Sequence, residues 1–122
     1  VGLEEKAKAK FKELSGGQKQ RFSIATTLIN QPKIVFLDEP TTGLDPHARR
    51  NLWELIKDVR RKGATVVLTT HYMEEAEELS DRIAFIKNGN IVARGSIEEI
   101  KNATKTEDLE GAFLEIARDE NI

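Results

Sequence analysis

Residues 34–40 read Ile34-Val35-Phe36-Leu37-Asp38-Glu39-Pro40. From Lys33 to Asp38 the run is β-branched and aromatic with almost no alternation. That is the pattern of a parallel strand covered on both faces. The run ends in two adjacent carboxylates, and open α/β sheets place ligands at the carboxyl ends of their strands. Neighbouring side chains leave a strand in different directions. One carboxylate can therefore hold Mg2+ through water while the other faces an attacking water. Such an arrangement suits phosphoryl transfer, which asks a protein for placement of water, metal and charge. The plainer alternative is a pair of exposed acids opening a loop.

Upstream, residues 14–20 read Leu14-Ser15-Gly16-Gly17-Gln18-Lys19-Gln20. Ser15 suits the N-cap of a helix that runs to about Asn30, where Gln31-Pro32 stops it. Phe22, Ala25, Leu28 and Ile29 share a face at spacings of three and four. A helix N-terminus presents free N–H groups and about half a positive charge. Gly16 and Gly17 carry no Cβ there, so a phosphate can approach the backbone closely, and the Ser15 hydroxyl can donate to it. A plain capped helix is the alternative. Residues 3–12, rich in Glu, Lys and Ala, read as a short exposed helix. Its alternating Lys6, Lys8, Lys10 and Lys12 make a solvated surface rather than a phosphate-tracking stripe.

Downstream, Pro40 and Gly43 break the chain, and Asp45-Pro46 opens a helix with Pro46 at its first position. Leu52, Leu55, Ile56 and Val59 form its buried stripe and Gly63 ends it. Ala64–Thr69 is a second buried strand, and Met73–Leu79 a short acidic helix. Ile83–Ile86 and Ile91–Ala93 flank Asn88-Gly89, a tight-hairpin signal. Ser96 with Glu99 makes a capping box. Leu109, Ala112, Phe113 and Ile116 mark an amphipathic tail helix over 108–118. Strands alternating with helices give an α/β layer with right-handed crossovers. His71 follows the second strand, on the sheet edge expected for Asp38, where an imidazole can bond a terminal phosphate oxygen. His47 reads as a surface helix residue.

At 122 residues the chain fits one domain. Its 19 basic and 21 acidic residues leave a net charge of −2, which argues for neither nucleic acid nor an anionic membrane surface. Cysteine is absent, excluding disulfides and thiolate metal sites. The longest apolar runs, Ile34–Leu37 and Val66–Leu68, fall far short of the ~18 residues of a membrane span. The N-terminus lacks signal-peptide features, and its Val1 start points to an engineered or trimmed product. The sequon Asn102-Ala103-Thr104 reads as a chance triplet.

In this order the motifs resemble the C-terminal two-thirds of the ATP-binding cassette (ABC) nucleotide-binding domain. Leu14–Gln18 matches the signature, Ile34–Glu39 the Walker B strand, Thr41-Thr42-Gly43-Leu44-Asp45 the D-loop, and His71 the switch histidine. The stretch Thr70–Glu77 is similar to bacterial exporters, and Val92-Ala93-Arg94-Gly95-Ser96 to the family's hairpin exit. The match runs over about residues 1–100, and the tail at 109–116 resembles drug- and polysaccharide-type exporters more loosely. No Gly-x-x-x-x-Gly-Lys-Ser/Thr occurs, nor any Gly-Lys pair, so the chain resembles the half of the ATPase that follows the phosphate cradle.

The resemblance implies a three-layer, P-loop NTPase-like parallel sheet, incomplete because the Walker A strand is missing. That strand would lie between the strand at 64–69 and the strand at 82–87. It implies the end of a helical subdomain at 1–31, the Walker B, D-loop and switch core at 32–95, and C-terminal helices at 96–122. Ser15, Gly16, Gly17 and Gln18 would bind the γ-phosphate of ATP held by a second subunit. Asp38 would serve Mg2+, Glu39 would polarise the hydrolytic water, His71 would contact the γ-phosphate, and Asp45 would link two sites across a homo- or heterodimer. The implied protein is the ATPase subunit of a membrane exporter. It would sit in the cytoplasm on the inner face of the cell membrane, bound to a permease without inserting and without nucleic acid. The chain alone is expected to be inactive. Its rivals are a soluble ABC ATPase of DNA repair or translation and a non-enzymatic half-domain that binds partners.

Overall fold

The computed structural model describes residues 16–120, the side chains of residues 16, 17, 27, 28, 119 and 120 excepted. The helix expected over 3–12 and the Ser15 cap lie outside the described residues. The chain divides into two compact units between Thr69 and Thr70.

The first unit runs α1 (Gly16–Thr27), a 3-10 turn (Leu28–Asn30), β1 (Ile34–Asp38), α2 (Pro46–Arg61) and β2 (Thr65–Thr69). β1 and β2 pair in parallel, with Val35 opposite Val66, Phe36 opposite Val67 and Asp38 opposite Thr69. Helix α2 packs on β2 and buries Leu52, Trp53, Ile56 and Val59, while Leu55 is half-buried. The buried stripe read from the sequence is therefore present, widened by Trp53. Gly63 follows the helix at φ 102°, in the left-handed region that glycine enters without strain.

Two expectations on coverage fail. β1 was expected to be covered on both faces, yet only Val35 is buried, at 4% exposure. Ile34, Phe36 and Val67, which share the other face, stand 55%, 75% and 44% exposed. An unbroken apolar run says that both faces can be buried; it does not supply the second layer. Of the stripe expected on α1, Phe22, Ala25 and Ile29 are likewise exposed, while Ile24, outside that stripe, is buried. The α period stops at Thr27, so Ile29 sits on a tighter turn where the 3.6-residue spacing no longer aligns it with Phe22.

The second unit holds α3 (Met73–Leu79), β3 (Arg82–Lys87), β4 (Asn90–Ser96), α4 (Ile97–Thr104) and α5 (Leu109–Glu120). Asn88 and Gly89 have φ of 53° and 79°, the pair of positive values a two-residue hairpin turn requires. β3 and β4 pair antiparallel with a shift between Phe85 and Ile86: Phe85 faces Ala93 and Ile86 faces Ile91. Val92 is the extra residue of this bulge, so Val92 and Ala93, consecutive in sequence, both pack on the core. That core is Phe85, Ile100, Leu109 and Ala112, with Phe113 edge-on to Phe85 at 5.4 Å. The Ser96 hydroxyl accepts from the Glu99 N–H at 3.1 Å and the Asp108 carboxylate from the Gly111 N–H at 2.7 Å, capping α4 and α5. The Glu77 carboxylate of α3 meets the Lys101 ammonium of α4 at 2.6 Å and accepts from the Leu109 N–H of α5 at 3.4 Å. That contact raises the Lys101 pKa above its ordinary value; burial opposes the rise, and the charges of Glu77, Glu98 and Asp108 reinforce it.

Candidate functional site

Asp38 is the last residue of β1, directly opposite Thr69, the last residue of β2. The apolar stretches Ile34–Leu37 and Val66–Leu68 both end here, and the two strands turn polar together. The Thr69 hydroxyl donates to the Asp38 carboxylate. It also accepts from the Glu39 N–H at 3.2 Å, and the same N–H donates to the Thr69 carbonyl at 2.9 Å. Asp38 and Glu39 are exposed.

Glu39 has φ 44°, in the left-handed region. A side-chain-bearing residue is held there at a cost of about 1–2 kcal/mol. The reversal stops β1 abruptly and starts two tight turns, with Thr42 N–H on the Glu39 carbonyl at 3.3 Å and Leu44 N–H on the Thr41 carbonyl at 3.1 Å. Pro40 and Thr41 are buried and anchor this loop, so the two carboxylates stand on a fixed base. Asp45 closes it. Its carboxylate accepts from the Ala48 N–H at 2.8 Å as the N-cap of α2, ahead of Pro46.

Gly16 and Gly17 open α1, whose first turn carries no acidic residue, so its positive end has no carboxylate of its own there. Gln18 is exposed and Ser15 lies outside the described residues. His71 belongs to the second unit, exposed, with its ring 4.3 Å from that of Tyr72. The Tyr72 N–H turns back onto the Thr70 hydroxyl at 3.0 Å just before α3. His47 is exposed on α2, as expected. The structure thus brings Asp38, Glu39 and Thr69 to one strand end. Thr69 was missed from the sequence. Its signal was there: a polar residue closing the second apolar strand at the position parallel to Asp38.

No group of three or more His, Cys, Asp or Glu side chains suited to a metal occurs among the described residues. Mg2+ is usually held by one or two carboxylates together with substrate phosphates and water rather than by a protein cage. Asp38, exposed and oriented by Thr69, offers one carboxylate at this strand end. No helix among the described residues is long and apolar enough to cross a membrane.

The chain belongs to an AAA-domain family: residues 3–76 match the family described as "AAA domain, putative AbiEii toxin, Type IV TA system". Within that class it is similar to Nod factor export ATP-binding protein I of Rhizobium sp. (strain N33), 52% identical over 94 residues, covering 77% of this chain and 31% of that protein. The protein of the same name from Burkholderia pseudomallei (strain 1710b) is 51% identical over 94 residues, with the same coverage. The chain spans about a third of the length of these curated relatives. Among solved structures, the ATP-binding subunit of an ABC transporter superposes with a TM-score of 0.74 at 29% identity, covering 88% of this chain and 45% of that one. A nucleotide-free ATP-binding cassette from an ABC transporter gives 0.67 at 32% identity, covering 74% and 36%. The chain is accordingly part of an ABC-type nucleotide-binding domain, of the α/β P-loop NTPase class that its motifs imply.

Proposed function

We propose that this chain is the signature-to-switch portion of the ATP-binding and ATP-hydrolysing subunit of an ABC exporter. The observation that carries the reading is the Asp38–Glu39 pair on a strained, anchored strand end, hydrogen-bonded to Thr69. Relatives named for export support transport as the coupled work. Residues 1–31 form the end of the helical subdomain, 32–95 the core and 96–122 the C-terminal helices.

Asp38 would hold Mg2+ together with the ATP phosphates, and the cation, when bound, would neutralise the developing phosphate charge. Glu39 orients and polarises the attacking water. Ser15, the Gly16 and Gly17 amides and Gln18 receive the γ-phosphate of ATP held by a second ATPase subunit, homo- or heterodimeric, at a helix end free of acidic residues in its first turn. His71 donates to the same phosphate, and Asp45 links the two sites. The other partner is a transmembrane permease, met in the cytoplasm at the inner face of the membrane. The sequence contains no Gly-x-x-x-x-Gly-Lys to cradle the β- and γ-phosphates, so the chain by itself is inactive.

The test is Glu39→Gln in the intact protein. The amide keeps the shape and removes the charge that orients water, so turnover falls about 10²-fold or more. ATP binding persists, with an ATP-bound dimer accumulating. Unchanged steady-state turnover would sink the assignment.

A further inference from the structure

The Thr69 hydroxyl has one proton to give and lone pairs to receive. The structure uses both functions at the site. The proton goes to the Asp38 carboxylate, and the oxygen takes the Glu39 N–H. One side chain on β2 therefore couples the side chain of the first acid to the backbone of the second. The Glu39 N–H is shared between the Thr69 hydroxyl and the Thr69 carbonyl, so both contacts that hold this amide come from one residue. Glu39 is also the residue whose backbone is held at φ 44°.

We propose that Thr69 is a positioning residue of the site, with its hydroxyl fixing the rotamer that Asp38 presents to Mg2+ and the backbone turn that aims Glu39. The proposal rests on the reading of Asp38 and Glu39 given above. A carboxylate held by one hydrogen bond on Oδ1 keeps its remaining lone pairs directed outward, toward metal and metal-bound water. With that bond lost, the carboxylate is free to rotate and orders itself only when the cation arrives. Partners of metal ligands that act in this way change affinity or activity by about 10- to 100-fold when removed. β-Branched valine keeps the shape and strand preference of threonine. It removes the bond the hydroxyl donates to Asp38 and the bond it accepts from the Glu39 N–H, and leaves the carbonyl contact with Glu39 in place.

The experiment compares Thr69→Val, Thr69→Ser and Glu39→Gln in the intact protein. Mn2+ affinity is read by electron paramagnetic resonance with a non-hydrolysable ATP analogue bound, and the Mg2+ dependence of turnover is read in parallel. Thr69→Val is expected to weaken Mn2+ binding and raise the half-saturating Mg2+ by about 10-fold or more, with metal-free nucleotide binding unchanged. Thr69→Ser, which keeps the hydroxyl, is expected to restore metal affinity to near that of the parent. If Glu39→Gln is inactive while Thr69→Val binds Mn2+ like the parent, Thr69 has no positioning role. Equal losses in the valine and serine variants would assign the effect to altered packing or strand geometry rather than to the hydroxyl, and would equally overturn the proposal. Full turnover by Glu39→Gln would instead remove the underlying assignment of the acids.

Discussion

Asp45 has a structural task that its place in the D-loop motif does not disclose, and the task can be separated from any role between subunits. Pro46 has no N–H to satisfy, the Arg49 N–H reaches the Asp45 carbonyl at 2.9 Å, and the Asp45 carboxylate takes the Ala48 N–H at 2.8 Å. The first turn of α2 contains no acidic residue, so Asp45 supplies the negative charge at that end, while Arg60 and Arg61 complement the other. Replacing Asp45 with Ala removes cap and charge together, costing roughly 1–2 kcal/mol. Asparagine caps as well as aspartate and loses only the charge, about 0.3–1 kcal/mol. Parent, Asp45→Asn and Asp45→Ala should therefore descend in stability in that order. Amide exchange at Ala48 in the intact protein reads this locally, and the alanine variant should open about 5- to 30-fold more often than the parent. Exchange equal in all three, or faster in the asparagine variant than in the alanine variant, would refute the capping argument. Turnover measured alongside isolates the other role. A loss of ATPase activity in Asp45→Asn with nearly intact α2 would assign the carboxylate a function beyond its own helix.

Two further outcomes are expected. The Lys101 pKa is raised above its ordinary 10.5 by Glu77, so this pair stabilises the second unit fully below that value and is lost as pH rises through the raised one. Urea midpoints taken below and above pH 10.5 should fall more steeply for the parent than for Glu77→Gln, and parallel curves would show that the pair contributes nothing. The bare sheet face of Ile34, Phe36 and Val67 leaves roughly 3–5 kcal/mol of apolar transfer energy unrealised per chain. The 122-residue chain expressed alone should self-associate in sedimentation, and Phe36→Thr with Val67→Thr should shift it toward monomer. The same distribution for both proteins would place the association elsewhere.

Features with a local cause were legible in the sequence. Asn88-Gly89 specifies its turn through two positive φ values, Ser96 and Asp45 specify caps through their side chains, and α2 shows its buried stripe at helical spacing. Features set by partners distant in sequence were not. Spacing alone could not show that Phe36 stays bare, because coverage depends on a layer and not on the strand itself. Thr69 acquires its meaning only from the register that sets it beside Asp38, thirty-one positions earlier. The Val92 bulge also breaks the two-residue period of the hairpin's second strand, turning two successive residues inward, and nothing in the turn signal at Asn88-Gly89 shows it. Asp38 and Glu39 were legible as a pair because both effects are local: an apolar run and its abrupt polar end. The reversed backbone at Glu39 left no trace in the letters.

That reversal sets folding and turnover at odds over a single letter of the sequence. At φ 44° glycine is relaxed and asparagine is tolerated, whereas glutamate is strained and valine, isoleucine and threonine are worse still. Under selection for folding alone, position 39 would drift to glycine or asparagine, and the chain would become sturdier as it lost its carboxylate. Glutamate persists there only while something other than stability demands it. In a lineage of such chains, the identity of residue 39 would therefore act as a record of use, with the strained acid retained where the site works and the relaxed residue left where it has fallen silent.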